Sequence, residues 1–408
     1  MSLKIFHLSR GNVPGKEQFI VRKLLRVCAA CIIFAMFLVT GPAGTSSGKA
    51  ETKNELAPCA NEGSKWRIGY CESQPYFEFD GTLYYIIKGL EELGWVSNTE
   101  GLQYTPFQED TASMWKWLSE NDMGPYIEFV PDAYYNMSEQ PDMGKKVVNR
   151  LNEKKDIDIM IVNGTYAALN VANDKHNVPT LVFATSNAVQ SGIIKSAANS
   201  GLKNVWAHVD TERFKRQVEI FYDIFKFKKV GLVYENSFKK VFAAVDDVEA
   251  VANERGFEIE HYYVDGPVND DDYDRYINDV LNAHKKLSQK VDAMYITNGA
   301  WKFEDLPKLL KPFHDKKIPV FSQAGSIEVR NGALMSIARA DFSGIGRFGA
   351  DRIARVLNGS SPGELSQIYE DTPNIAINME VADKIGYKPT FDILLVADEI
   401  YTAIENNK

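Results

Sequence analysis

The chain has 408 residues, with 46 Lys/Arg against 55 Asp/Glu and a formal net charge of −9. An acidic balance of this kind argues against nucleic acid or an anionic membrane surface as a partner. The length exceeds one average domain and suits two, and no solenoid repeat or low-complexity tract interrupts it.

At the N-terminus, Lys16, Arg22, Lys23 and Arg26 precede the apolar run Val27–Thr40, and then a small, polar stretch ends in Gly48-Lys49-Ala50. This is the order of a secretory signal, here residues 1–50, with cleavage near Ala50. The 14-residue run falls short of the ~20 residues that span a bilayer, and an uncleaved N-terminal anchor is the alternative. Removing residues 1–50 takes away seven Lys/Arg and one Asp/Glu, moving the net charge from −9 to −15. Leu56-Ala57-Pro58-Cys59 is a poor lipid-attachment site, because Pro58 does not suit it and the apolar run lies far upstream. Cys28 and Cys31 leave with the signal. Cys59 and Cys71 remain, and in an oxidising compartment they read either as a disulfide tying the mature N-terminus to the first strand or as two buried thiols.

From Trp66 onward, short β-branched or aromatic runs alternate with amphipathic stretches. The strands expected are 67–71, 126–130, 157–162, 180–184, 230–234, 257–263, 291–297, 318–322, 334–338 and 375–378, with helices over 82–94, 144–154, 211–226, 238–255 and 305–316. Single strands alternating with single helices imply parallel βαβ units covered on both faces, a doubly wound α/β fold. Two runs of such units, roughly 64–187 and 188–324, suggest two similar lobes. Residues 96–124 look like an insertion, where Met114, Trp115 and Leu118 suggest a short helix packed on the first lobe; a lid over the ligand is the other use. After a break at Lys388-Pro389, the stretch carrying Asp392, Asp398 and Glu399 reads as an amphipathic helix.

Several motifs look like chemistry and fail on context. Gly344-Ile345-Gly346-Arg347-Phe348-Gly349 matches G-x-G-x-x-G after a strand. A dinucleotide site would then want a second strand ending in an acid about 20 residues on, whereas a long helix follows, so close helix packing explains the glycines. Gly359-Ser360-Ser361-Pro362-Gly363 matches G-x-S-x-G, but a helix rather than a strand precedes it, and a nucleophile elbow needs the strand. The five histidines that follow the expected signal, His176, His208, His261, His284 and His314, lack metal-ligand spacing and read as surface or loop residues. Asp270-Asp271-Asp272 lacks the alternation of a calcium loop and reads as a helix start. No catalytic residue, metal site or cofactor is expected.

In open α/β sheets, ligands collect outside the carboxyl ends of the strands. Those ends carry Glu72, Phe79, Asp80, Thr165, Ser186, Asn187, Asn236, Asn298, Trp301, Gln323 and Asp341. Each alone is explained as a cap or turn. Together they suit a cleft for a small ligand with an apolar part.

The tail 374–401, the strand and turn from Val182 to Gly192, Lys229-Val230-Gly231-Leu232-Val233-Tyr234, Val291–Tyr295 and Gly332–Gly346 resemble the ABC-transporter substrate-binding proteins of the tryptophan/tyrosine type, which have a type I periplasmic-binding fold. The resemblance implies two hinged lobes, 64–187 plus 325–373 and 188–324 plus 374–408. It also implies a periplasmic or extracytoplasmic monomer that closes on a small solute, aromatic or amino-acid-like, and passes it to an ABC permease in the inner membrane. By position it places Thr165, Ser186, Asn187, Asn236, Asn298 and Asp341 in the cleft. Asn187-Ala188 stands where the family often has an acid and a proline, so an acid for an ammonium group is missing there, and Asp341 or Glu72 could replace it. The Glu72–Asp80 turn is longer and more aromatic than the family pattern. A periplasmic sensor signalling to a membrane receptor is the alternative role; an enzyme would rest only on the two failed motifs.

Overall fold

In a computed structural model of the chain, residues 55–106, 108–235, 244–339, 342–370 and 373–405 are described. The signal expected at 1–50 lies outside them, as do Asn236 and Asp341. No helix among the described residues is long and apolar enough to cross a membrane.

Two sheets form the body. In the first, β1 (Trp66–Glu72), β2 (Ile127–Asn136), β3 (Ile159–Asn163), β4 (Thr180–Phe183) and β5 (Val205–Ala207) run parallel in the order β2-β1-β3-β4-β5. Their helices are α1 (Phe77–Glu92), α2 (Thr111–Glu120), α3 (Met143–Glu153) and α4 (Thr165–Val171). β3 is buried along its whole length, as a parallel strand covered on both faces must be. In the second sheet the order is β12-β11-β10-β9-β8-β6-β7. Its strands are β6 (Lys229–Glu235), β7 (Glu258–Val264), β8 (Ala293–Ile296), β9 (Val320–Ser322), β10 (Met335–Arg339), β11 (Pro373–Asn378) and β12 (Glu399–Tyr401), all parallel except the β10–β11 pair. The remaining helices are α5 (Arg213–Phe225), α6 (Val245–Arg255), α7 (Tyr273–Leu287), α8 (Leu306–His314), α9 (Ser326–Arg330), α10 (Ser343–Leu357), α11 (Met379–Ile385) and α12 (Phe391–Val396). The last is a single short helix whose Thr390 hydroxyl accepts from the Ile393 amide at 3.4 Å.

The chain changes sheet at places other than those expected. β5 joins the first sheet beyond residue 187, because Val205, Trp206 and Ala207 are fully buried and the Trp206 ring packs tilted against Phe183 at 5.2 Å. β10 stays in the second sheet, where β9 and β11 take its ladder bonds. The return to the first sheet adds no strand to it: α10 packs there, its Ile345, Ala350, Ile353 and Ala354 sharing a core with Ile68, Tyr70 and the apolar face of α1, and the stretch after it bonds to β5, Trp206 Nε1–H donating to the Ser366 carbonyl at 2.9 Å. Two of the passes lie side by side: the Val209 amide donates to the Gln367 carbonyl at 2.8 Å and the Tyr369 amide to that of Val209 at 3.1 Å. The amphipathic tail stops as a helix at Val396. Glu399–Tyr401 pairs with β11 instead, helped by Asp398, whose Oδ2 accepts from the Ile375 amide at 2.8 Å.

Cys59 and Cys71 are separate thiols. Successive side chains of a strand point to opposite faces. Tyr70 faces the core against which Cys59 packs, so Cys71 faces the other core, with Val147 and Val162. His176, His284 and His314 are buried rather than superficial, each donating a ring N–H to a backbone carbonyl, of Val171, Leu309 and Gly332 respectively, at 2.8–2.9 Å. The Asp270–Asp272 run forms a 3-10 turn leading into α7, as a helix start should.

The glycines of α10 serve close approach. A Cβ at Gly346 would lie 2.4 Å from the Tyr85 backbone of α1, and one at Gly349 2.7 Å from the Phe183 ring. Overpacking against backbone cannot be relieved by a rotamer change. Gly346→Ala is therefore expected to destabilise the fold by roughly 1–3 kcal/mol, read as a lower urea midpoint at unchanged slope.

Candidate ligand-binding site

Both sheets reverse strand order beside their first strand, between β1 and β3 and between β6 and β8. At such points neighbouring crossovers leave on opposite faces, and a crevice opens at the carboxyl ends. The β1–α1 turn lies at the first of these points. Its Ser73 amide donates to the Asn163 carbonyl at 3.1 Å, and the Ser73 hydroxyl accepts from the Ala167 amide at 3.0 Å. Gly164, at φ +88°, lets Ser73 and Phe79 come close; a Cβ there would meet them at 2.5 and 2.6 Å.

Glu72 does not offer its carboxylate to the crevice. It is fully buried and accepts hydroxyl protons from Tyr70 at 2.8 Å, Thr111 at 2.6 Å and Tyr134 at 2.7 Å. Burial raises its pKa, and the three hydroxyls pull it partly back. Thr111 opens α2, so this network pins the 96–124 segment to the end of β1, while Met114, Trp115 and Leu118 enter the core as the sequence suggests. Asp80, also buried, accepts from the amides of Gly81 at 2.6 Å and Glu109 at 3.0 Å, and burial pushes its carboxyl up to about 6. With Tyr104, Met114 and Trp117 it borders a cavity of about 230 Å³, so the insertion walls a space beside Asp80.

Thr165 Oγ1 accepts from the Ser186 amide at 3.3 Å, joining the β3 and β4 ends. Asn187 Oδ1 accepts from the amides of Val189 and Gln190 at 3.1 and 3.0 Å, which makes it a turn cap. Thr185, Ser186 and Asn187 line one small cavity together with His208, Asp210 and Arg213.

On the second sheet, Trp301 is an internal residue rather than an open aromatic face. It is 8% exposed, packs with Val280 and Leu306, and donates Nε1–H to Glu328 Oε1 at 3.1 Å. The other oxygen of Glu328 accepts from the Ser322 hydroxyl at 2.7 Å, and burial pushes this carboxyl up to about 7. The Gln323 carbonyl accepts from Gln217 Nε2 at 3.3 Å. Asn298 Oδ1 is buried with no hydrogen bond among the described residues, an acceptor available to a ligand.

The β1–α1 turn leads straight into the first turn of α1, whose Phe77 and Glu78 touch the second half of the body. The Phe77 ring meets that of Phe303 edge-on at 5.9 Å, and Glu78 Oε1 lies 3.3 Å from Arg213 Nη2. Burial raises the Tyr76 phenol well above its ordinary value, with Glu78 and Glu328 adding to the effect and Arg213 opposing it.

The family model for ABC transporter substrate binding protein matches residues 128–401, 274 of 408. The chain belongs to this family. A curated relative, the tyrosine-binding protein of Clostridioides difficile (strain R20291), is 25% identical over 230 residues, which make up 56% of this binding protein and 62% of that one. This match spans less than two thirds of the relative's length. Two solved structures, the ABC domain in complex with L-Trp from Streptococcus pneumonia and a ligand-free, open substrate-binding protein with adhesive properties from Clostridium difficile, have TM-scores of 0.60 and 0.58. Each is 20% identical and covers 83% of this chain and 100% of its own. They establish the type I periplasmic-binding fold.

Arg213 and Glu328 escape the strand-end reading of the sequence, whereas Glu78 belongs to the Glu78-Phe79-Asp80 end that it named. Arg213 had one available signal. It is the first residue of α5, where the helix dipole favours an anion over a cation.

Because Glu328 is neutral below about pH 7 in the folded chain and ionises near 4.3 when unfolded, its contribution to stability is present at low pH and lost as pH rises through 7. The urea midpoint of the wild type is therefore expected to fall relative to that of Glu328→Gln between pH 5 and 8. A fluorescence transition near pH 7, assigned to Trp301 by its loss in Trp301→Phe, is expected to vanish in Glu328→Gln.

Proposed function

We propose that this protein is the extracytoplasmic capture component of an ABC importer. As a monomer it encloses a small amino-acid-like solute between its two halves and releases it, chemically unchanged, to a membrane permease. The halves close about the chain passes near Val209, Phe342 and Tyr369, and solute contacts to both sides favour the closed form.

The observation that carries this reading is the β1–α1 turn. It stands at one switch point and reaches residues of the other half through Phe77–Phe303 and Glu78–Arg213, which suits a clamp whose walls meet around a guest. Residues offered to the solute are Tyr76, Phe77 and Phe79, whose rings suit an apolar part, and Ser186, Asn298 and Gln323, which suit polar ends. Asp80 bounds the outer cavity. The curated relative is a tyrosine-binding protein, which makes an aromatic amino acid the first solute to try. The expected secretory signal accords with an extracytoplasmic site, and the failed motif contexts accord with a protein that is not an enzyme.

A thermal-shift screen against amino acids, nucleosides, sugars and small aromatic acids tests the proposal. A selective hit at 100 Kd is expected to stabilise the protein by about 2.7 kcal/mol and to be recovered intact after prolonged incubation. Turnover of the hit, or no hit from any class, would sink the reading.

A further inference from the structure

A guanidinium presents five N–H donors in a fixed plane, and its Nε/Nη2 edge matches the two oxygens of one carboxylate. Two arginines elsewhere in this chain use that edge fully. Arg67 donates Nε–H to Asp158 Oδ2 at 3.0 Å and Nη2–H to Oδ1 at 2.8 Å. Arg150 places the same two nitrogens 3.2 and 2.9 Å from Asp156.

Arg213 does not follow them. Its side chain is 14% exposed, and among the described residues its one hydrogen bond is the long contact from Nη2 to Glu78 at 3.3 Å. Nε is buried and has no hydrogen-bond partner among the described residues. A buried donor left without an acceptor costs about 1–3 kcal/mol, and folded proteins rarely keep one without a use.

Among the described residues, the surroundings supply no better internal acceptor. Asp210, in the same cavity, is engaged by Arg216 Nη2 at 2.8 Å and by the Glu212 amide at 3.3 Å. Thr185, Ser186 and Asn187 border the cavity from the β4 end. At about 10 Å³ it has room for about one water, so a solute group needs this space to widen.

We propose that the Nε/Nη2 edge of Arg213 is the carboxylate-binding element of the cleft, and that Glu78 is a one-point place-holder which the solute's carboxylate displaces. The solute class is thereby narrowed to carboxylic acids. The inference rests on the solute-binding reading above and adds the residue that selects within it.

The test pairs each acid with its decarboxylated counterpart, L-tyrosine with tyramine and L-tryptophan with tryptamine, together with the carboxylic acids that score in the screen. Calorimetric affinities are measured on the wild type, Arg213→Gln, Arg213→Lys and Glu78→Gln. The wild type is expected to bind the acid and to bind its amine counterpart at least tenfold more weakly. Arg213→Gln is expected to lose roughly tenfold or more. Arg213→Lys, which keeps the charge but not the planar edge, is also expected to weaken binding, and it decides the matter should Arg213→Gln fail to fold. Glu78→Gln is expected to bind the acid as tightly as the wild type or more tightly. A merely structural ion pair would make the Arg213 and Glu78 variants fail together.

Equal binding of acid and amine, full affinity in a folded Arg213 variant, or parallel losses on both sides of the pair overturn this inference while solute binding stands. No binding by any member of the screen overturns both.

Discussion

A carboxylate removed from water needs donors, and Glu72 at the end of β1 obtains three hydroxyls from three different elements. Tyr70 comes from its own strand, Tyr134 from the neighbouring strand β2, and Thr111 from the first turn of α2. Taking any one away would leave a buried anion under-solvated. The network therefore fixes the register of β1 with β2 past the irregularity after Ile68, and it ties the inserted segment to the switch point. The turn that begins at Ser73 starts from this anchored point. That is why Tyr76 and, at the start of α1, Phe77 and Glu78 are held out toward the second half of the body.

Strand-to-helix alternation made the architecture readable, because buried parallel strands such as Ile159–Asn163 are continuous apolar runs and their helices are amphipathic. Helix packing through the α10 glycines was readable for the same reason, since the motif lacked the acid-tipped strand that a dinucleotide site requires. What stayed hidden depends on partners distant in sequence. Three-residue strands such as Val205–Ala207 and Glu399–Tyr401 exist through the ladder they join, and no periodicity marks them. Whether Cys59 can reach Cys71 turns on which face of β1 each occupies, a one-residue matter of register. Whether Glu72 is a ligand group or a structural one turns on Thr111 and Tyr134, 39 and 62 residues away.

The candidate site was readable as a place more than as a set of atoms. In open α/β sheets ligands collect at strand ends, and Thr165, Ser186 and Asn298 follow β3, β4 and β8. The assignments that failed were those in which a side chain's chemistry was taken for its orientation. Trp301 follows a strand end, yet its indole turns inward to Glu328 because an N–H in an apolar core needs an acceptor. Glu328 in turn makes that acceptor costly to ionise, so the pair stabilises best when the acid is neutral. Asn187 spends its side-chain carbonyl on two backbone amides, which makes it a turn cap.

Arg213 breaks two local rules at once. A cation at a helix N-terminus opposes the dipole, and a buried guanidinium with an unmatched Nε–H forgoes hydrogen bonds that Arg67 and Arg150 obtain in full. Local rules are broken without compensation mainly where a site must stay ready for something absent. The anion that would satisfy both rules together would sit at the start of α5 and take both nitrogens of the Arg213 edge. Glu78 supplies only a fraction of that, from one oxygen at 3.3 Å, and it does so from the turn that spans both halves. A better-placed carboxylate would therefore gain the helix dipole and the guanidinium edge together and loosen the Glu78 contact, coupling recognition of the guest to the relative freedom of the two halves.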